Sequence, residues 1–123
     1  MSMPSRLVLV VDDDPGTVET LTDILSAKTY RVTSANSGDA AVEIVRRNGF
    51  GAVLMDIVMP GINGVEALKA LKPVFPPTKV ILMTAYSRHQ LVEEARREGA
   101  LAVLAKPLDI EALLSLLEQA AGG

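Results

Sequence analysis

The sequence predicts an α/β fold, a (βα)5 three-layer sandwich around a five-stranded parallel sheet. Three observations predict it. Five short apolar runs recur at starts roughly 20 to 27 residues apart, room for one strand, one helix and two loops. Stretches with helical periodicity lie between and after them. Four of the five runs are near-continuously apolar, as strands covered on both faces are.

The runs are RLVLVV (6–11), RVTSA (31–35), AVLMD (52–56), KVILM (79–83) and LAVLA (101–105). After the first, DDDPG opens a helix carrying Val18, Leu21 and Leu25 at helical spacing. SGDAAVEIVRRNG places Ala41, Ile44 and Val45 on one side and ends on Gly49; NGVEALKALK presents Val65, Leu68 and Leu71 and stops before Pro73. SRHQLVEEARREG is more polar, with Leu91, Val92 and Ala95 to bury; its His89 is expected to face solvent. DIEALLSLLEQA carries a full apolar stripe of Ile110, Leu113, Leu114 and Leu117. Right-handed crossovers limit the strand orders. The flavodoxin-like order 2-1-3-4-5 is the common solution at this size, although the sequence alone does not select it.

A chain of 123 residues is expected to form one domain, here over residues 6–120. With no cysteine there is no disulfide and no thiolate metal site, which fits a reducing cytoplasm. No apolar run approaches the about 18 residues of a membrane span. The net charge of -3 argues against direct nucleic-acid binding, and Arg46-Arg47 and Arg96-Arg97 read as solvated helix faces. Whether the chain is a whole protein or the front of a longer one is open.

Function is expected where strands end, because ligands of open α/β sheets bind beyond the carboxyl ends. The first strand ends on Asp12, Asp13 and Asp14, and the third on Asp56. Thr84 follows the fourth, and Lys106-Pro107 the fifth. Asp14 precedes a proline suited to the first helical position and reads as an N-cap. Asp12 and Asp13 lie too early to cap and converge with Asp56. Three clustered carboxylates with no histidine or cysteine point to a hard cation such as Mg2+. Lys106 and Thr84 can face a phosphate on its other side, so the set reads as a phosphoryl-transfer pocket with an aspartate nucleophile. Met55, Met59 and Met83 read as core filling.

VLVVDDDP, LMDIVMPGINGVEAL, VILMTAYS and GALAVLAKPL together resemble the receiver domain of two-component response regulators, in order across residues 6–119. The resemblance implies that Asp56 is the phosphoacceptor for a phosphohistidine on a sensor histidine kinase or phosphotransfer protein. It implies Mg2+ held by Asp13, Asp56 and the Val58 carbonyl, with Asp12 acting mainly through water. Lys106 would pair with the phosphoryl group, Thr84 would move toward it, and the Lys106-Pro107 bond would be cis. Gly64 would open its helix without side-chain bulk.

A switch on the face of the fourth helix, fifth strand and fifth helix would change affinity for a second copy, an output domain or an effector protein. One position departs from the family. Many receivers carry Tyr or Phe three residues before the lysine, where this chain has Val103, and a valine cannot bury or expose a ring. Val58 and Tyr86 would flank the acceptor and slow self-dephosphorylation by hindering water. Two alternatives compete. A phosphatase wants a second acid two residues after its nucleophile, where Val58 stands. A structural receiver would act by partner binding without phosphorylation.

Overall fold

The computed structural model describes residues 6–74, 76, 78–85 and 89–122. Ten elements alternate in the expected order: β1 (Leu7–Val11), α1 (Pro15–Ala27), β2 (Arg31–Ala35), α2 (Gly38–Arg47), β3 (Ala52–Asp56), α3 (Gly64–Leu71), β4 (Lys79–Thr84), α4 (His89–Arg97), β5 (Ala102–Ala105) and α5 (Ile110–Gly122). All strands pair in parallel, in the order β2-β1-β3-β4-β5. The sheet is therefore the flavodoxin-like arrangement.

Alternate side chains of the central strands leave the sheet in opposite directions, and each direction builds its own core. Val8, Val10, Leu54, Ile81 and Met83 pack with Leu21 and Leu25 of α1 and Leu113 and Leu117 of α5. Leu9, Val11, Val53, Met55 and Leu82 pack with α2, α3 and α4 through Ala41, Val45, Leu68 and Ala95. Met55, Met59 and Met83 are all buried, as core filling requires. The two arginine pairs are exposed.

β5 reads in sequence as apolar as the central strands, yet Ala102, Val103 and Leu104 are only partly buried and Ala105 is exposed. The reason is position. β5 is an edge strand with a partner on one side only, and among the described side chains of α4 only Ala95 is fully buried. Leu101 just before it is exposed as well.

Local chemistry sets the helix starts. Asp14 sits in extended backbone and accepts from the Gly16 amide, with Pro15 at the first helical position. Ser37 accepts from the Ala40 amide before α2. Asn63 and Glu66 exchange hydrogen bonds in a capping box before α3. At the opposite end of the sheet Arg6 lies over the Tyr30 ring, 4.2 Å from its centroid, and pairs with Glu118 of α5.

Candidate functional site

In-register pairing of parallel strands brings the chemistry together. Val11 lies beside Met55, so Asp12 and Asp56 follow side by side at the ends of β1 and β3. Asp56 lies beside Met83, and Thr84 beside Ala105, so Thr84 and Lys106 extend the row. Neighbouring strands are about 4.8 Å apart, so residues up to 94 positions apart in the chain become contacts.

The lysine joins the row. Lys106 Nζ lies 2.9 Å from Asp12 Oδ2 and 2.9 Å from Asp56 Oδ2. Asp12 is 2% exposed and Asp56 8% exposed, so both carboxylates have left bulk water and depend on these partners. Their other oxygens are engaged by the backbone: Asp12 Oδ1 accepts from the Asp14 amide at 2.9 Å, and Asp56 Oδ1 from the Val58 amide at 3.0 Å. Burial works against the Lys106 ammonium, but the hydrogen bonds it donates to Asp56 and Asp12, with their negative charge, outweigh it and raise its pKa above 10.5.

Asp13 is exposed, and one carboxylate oxygen each from Asp12, Asp13 and Asp56 lie within 4.8 Å of one another. An all-oxygen set of this charge suits a hard divalent cation, so the residues present fit Mg2+. Thr84 is buried at the end of β4. Asp14 takes no part in that triad. It caps α1 and accepts from Thr17 Oγ1 at 2.6 Å; that bond first, then the Gly16 amide, lowers its pKa.

Val58, two residues after Asp56, is 40% exposed. The hydrogen bond that its amide donates to Asp56 is a contact that sequence reasoning missed, as were the hydrogen bond from the Asp14 amide to Asp12 and the double engagement of Lys106. A side chain followed two residues later by a free amide is a common turn pattern, and that was the available signal. The Lys106-Pro107 bond is cis. Val103 is partly buried and packs against the core. Tyr86 and the side chain of His89 lie outside the described residues.

Gly64 has a steric reason. A Cβ there would lie 2.7 Å from the Asp56 carbonyl oxygen and 2.8 Å from Ile57 Cα, and the Gly64 amide donates to the Ile57 carbonyl at 2.8 Å. Helix α3 thus starts flat against the backbone of Asp56. On the other side, a groove of about 540 Å3 between α1 and the β5–α5 connection opens beside Lys106, lined by Thr17, Leu21, Ile24, Pro107 and Ile110.

Comparison with known proteins agrees with this geometry. The response regulator receiver domain model matches residues 8–118. The chain is 42% identical over 113 residues to the transcriptional regulatory protein ZraR of Escherichia coli, covering 92% of this chain and 26% of that protein. It therefore spans about a quarter of that relative's length. It is 35% identical to the sporulation initiation phosphotransferase F of Bacillus subtilis, over 89% of this chain and 88% of that one. Among solved structures it superimposes on the beryllofluoride-activated NtrC4 receiver domain dimer with a TM-score of 0.88 at 27% identity, covering 95% of this chain and 97% of that one. A CheY-like receiver domain from Methanospirillum hungatei gives 0.90 at 26% identity, over 94% and 93%.

Proposed function

The chain belongs to the response regulator receiver domain family, and from that premise we propose that Asp56 accepts a phosphoryl group from a phosphohistidine. The donor is a sensor histidine kinase or a phosphotransfer protein. A carboxylate oxygen of Asp56 forms the new P–O bond as the P–N bond to the donor imidazole breaks. The imidazole nitrogen leaves with the electron pair and takes up a proton. The product is an acyl phosphate on Asp56.

The observation that carries this reading is the Lys106 ammonium held at 2.9 Å from both buried carboxylates, with Asp13 beside them. Mg2+, on Asp12, Asp13, Asp56 and the Val58 carbonyl, would supply positive charge that offsets the negative charge of the transferring group. The chain's own groups do the rest. The Val58 amide holds Asp56 Oδ1 and so fixes the carboxylate plane. Lys106 supplies a fixed positive charge for the phosphoryl oxygens, and the Thr84 hydroxyl a donor. The groove beside Lys106 gives a partner's side chain a way in.

Phosphorylation then switches partner binding through α4, β5 and α5. Half-buried β5 and exposed Leu101 support that face as the one able to change partners. A second copy of the chain, an output domain or an effector protein are the partners this face would take. Val103 offers no ring, so either Thr84 moves without an aromatic partner or another group, Tyr86, reports the change. No helix among the described residues is long and apolar enough to cross a membrane.

The test is incubation with acetyl phosphate and Mg2+, read by intact mass, on the wild type and Asp56→Asn. One added phosphate on the wild type alone supports the reading. Equal labelling of both proteins, or none of either, defeats it.

A further inference from the structure

The loop after Asp56 is pinned from an unexpected side. It runs from Ile57 to Asn63, and Val58 within it both holds Asp56 and, in the proposed function, offers its carbonyl to the cation. Its far end is fixed by the α3 capping box and by Gly64 lying on the Asp56 backbone. Its middle crosses the first turn of α2, an element that contributes nothing to the cluster of acids and lysine.

Two contacts define that crossing. Gly38, the first residue of α2, is buried and leaves a notch where a side chain would be. A Cβ there would lie 2.7 Å from Ile62 Cγ1, 3.0 Å from Ile62 Cδ1 and 3.2 Å from Ala67 Cβ. Ile62 thus fills the space that the missing side chain leaves, and it packs against the core on the α2–α3 side. One residue earlier, Gly61 adopts φ +81°, and the position of its absent Cβ is 3.7 Å from Asp39 Oδ2 of the same helical turn. The loop turns in a left-handed conformation over α2 and drops Ile62 into the notch.

We propose that Gly38 and Ile62 are positioning residues of the phosphoacceptor site: the isoleucine seated in the notch sets where the Val58 segment lies. The inference rests on the cation-dependent reading above. Neither residue supplies a polar side chain to the site, so both act through the loop. Partners that orient a metal ligand without touching the metal affect its affinity roughly 10- to 100-fold. A contact working through three intervening residues of loop belongs at the lower end.

The experiment measures Mg2+ affinity by calorimetric titration of the wild type, Gly38→Ala, Ile62→Ala and the double variant. Melting temperatures and acetyl phosphate labelling at saturating Mg2+ are recorded alongside. Gly38→Ala should expel the isoleucine and Ile62→Ala should remove it. Each should therefore raise the dissociation constant about tenfold. The double variant should be no worse than either single one, because both changes remove the same contact. Labelling at saturating Mg2+ should stay within about threefold of wild type, a split that general damage to the fold would not produce.

If Gly38→Ala does not fold, Ile62→Ala at its partly exposed position carries the test. Affinities within twofold of wild type overturn the inference, as do fully additive losses in the double variant. A wild type that binds no Mg2+ and gains no phosphate defeats the functional reading itself. A wild type that does both while the variants bind as tightly defeats only the positioning role.

Discussion

Replacing Gly64 by alanine should strain the fold at the backbone of Asp56. The new methyl would stand 2.7 Å from the Asp56 carbonyl oxygen and 2.8 Å from Ile57 Cα, and ordinary contact begins near 3.4 Å. A separation of at least 0.6 Å must open between two pieces of backbone, neither of which can rotate away as a side chain could. Overpacking of this kind costs about 1–3 kcal/mol. Alanine also reduces the freedom of the unfolded chain, which returns about 0.4–1 kcal/mol. The net loss is about 1–2 kcal/mol, or a fall of roughly 5 °C in melting temperature for a domain of this length.

Gly16→Ala is the matched control. It sits in the first turn of α1, and its Cβ would meet Asp14 oxygens at 3.7 and 3.9 Å, which is ordinary contact. It should be stabilising by about 0.4–1 kcal/mol. Urea unfolding followed by circular dichroism separates the two. Gly64→Ala unfolding at or above the wild-type midpoint, with unchanged slope, would refute the steric argument. Because the atom pushed belongs to Asp56, labelling by acetyl phosphate should fall in the same variant.

Three further variants give checkable outcomes. Lys106→Met should destabilise the protein without divalent cation by about 1–3 kcal/mol, since the charged hydrogen bonds of Asp12 and Asp56 are lost while the lysine is partly exposed. Mg2+ should bind that variant more tightly than wild type in calorimetry, because a neighbouring positive charge is gone. Asp14→Ala should flatten the acid limb of the stability profile: hydrogen bonds from Thr17 and Gly16 hold the carboxyl below its ordinary 3.8, so its contribution is present above that pH and fades as pH falls through the lower folded value. Urea midpoints from pH 5 to pH 2 read the difference. Tyr86→Ala should speed loss of phosphate from the labelled protein, timed by phosphate release, and an unchanged or slower rate counts against the proposed hindrance of water.

Most of the fold was legible because its signals are local. Apolar runs set the strands to within a residue, and Asp14-Pro15 marks the start of α1 through chemistry that spans three positions. The exposure of β5 was not legible, because Ala102–Ala105 has the composition of a central strand and only its place in the sheet leaves it uncovered. At the site, the acids, threonine and lysine could be listed from sequence. Which of them Lys106 touches could not, since Asp12 and Asp56 are 94 and 50 positions away from it.

The notch at Gly38 shows why the remainder stayed hidden. In sequence it is a glycine between a capping serine and an aspartate, and nothing marks it as more than a helix start. Its meaning comes from Ile62, which lies 24 positions later and meets it only after β3 has been threaded into the sheet between β1 and β4. The row of functional groups along the strand ends is fixed by register, and register follows from which side chains of each strand must face each of the two cores. The depth at which the Val58 segment lies against that row is fixed instead by a side chain filling a gap between a loop and a helix. A chain could keep every acid, the threonine and the lysine in place and still lose cation affinity by filling that gap with one methyl group.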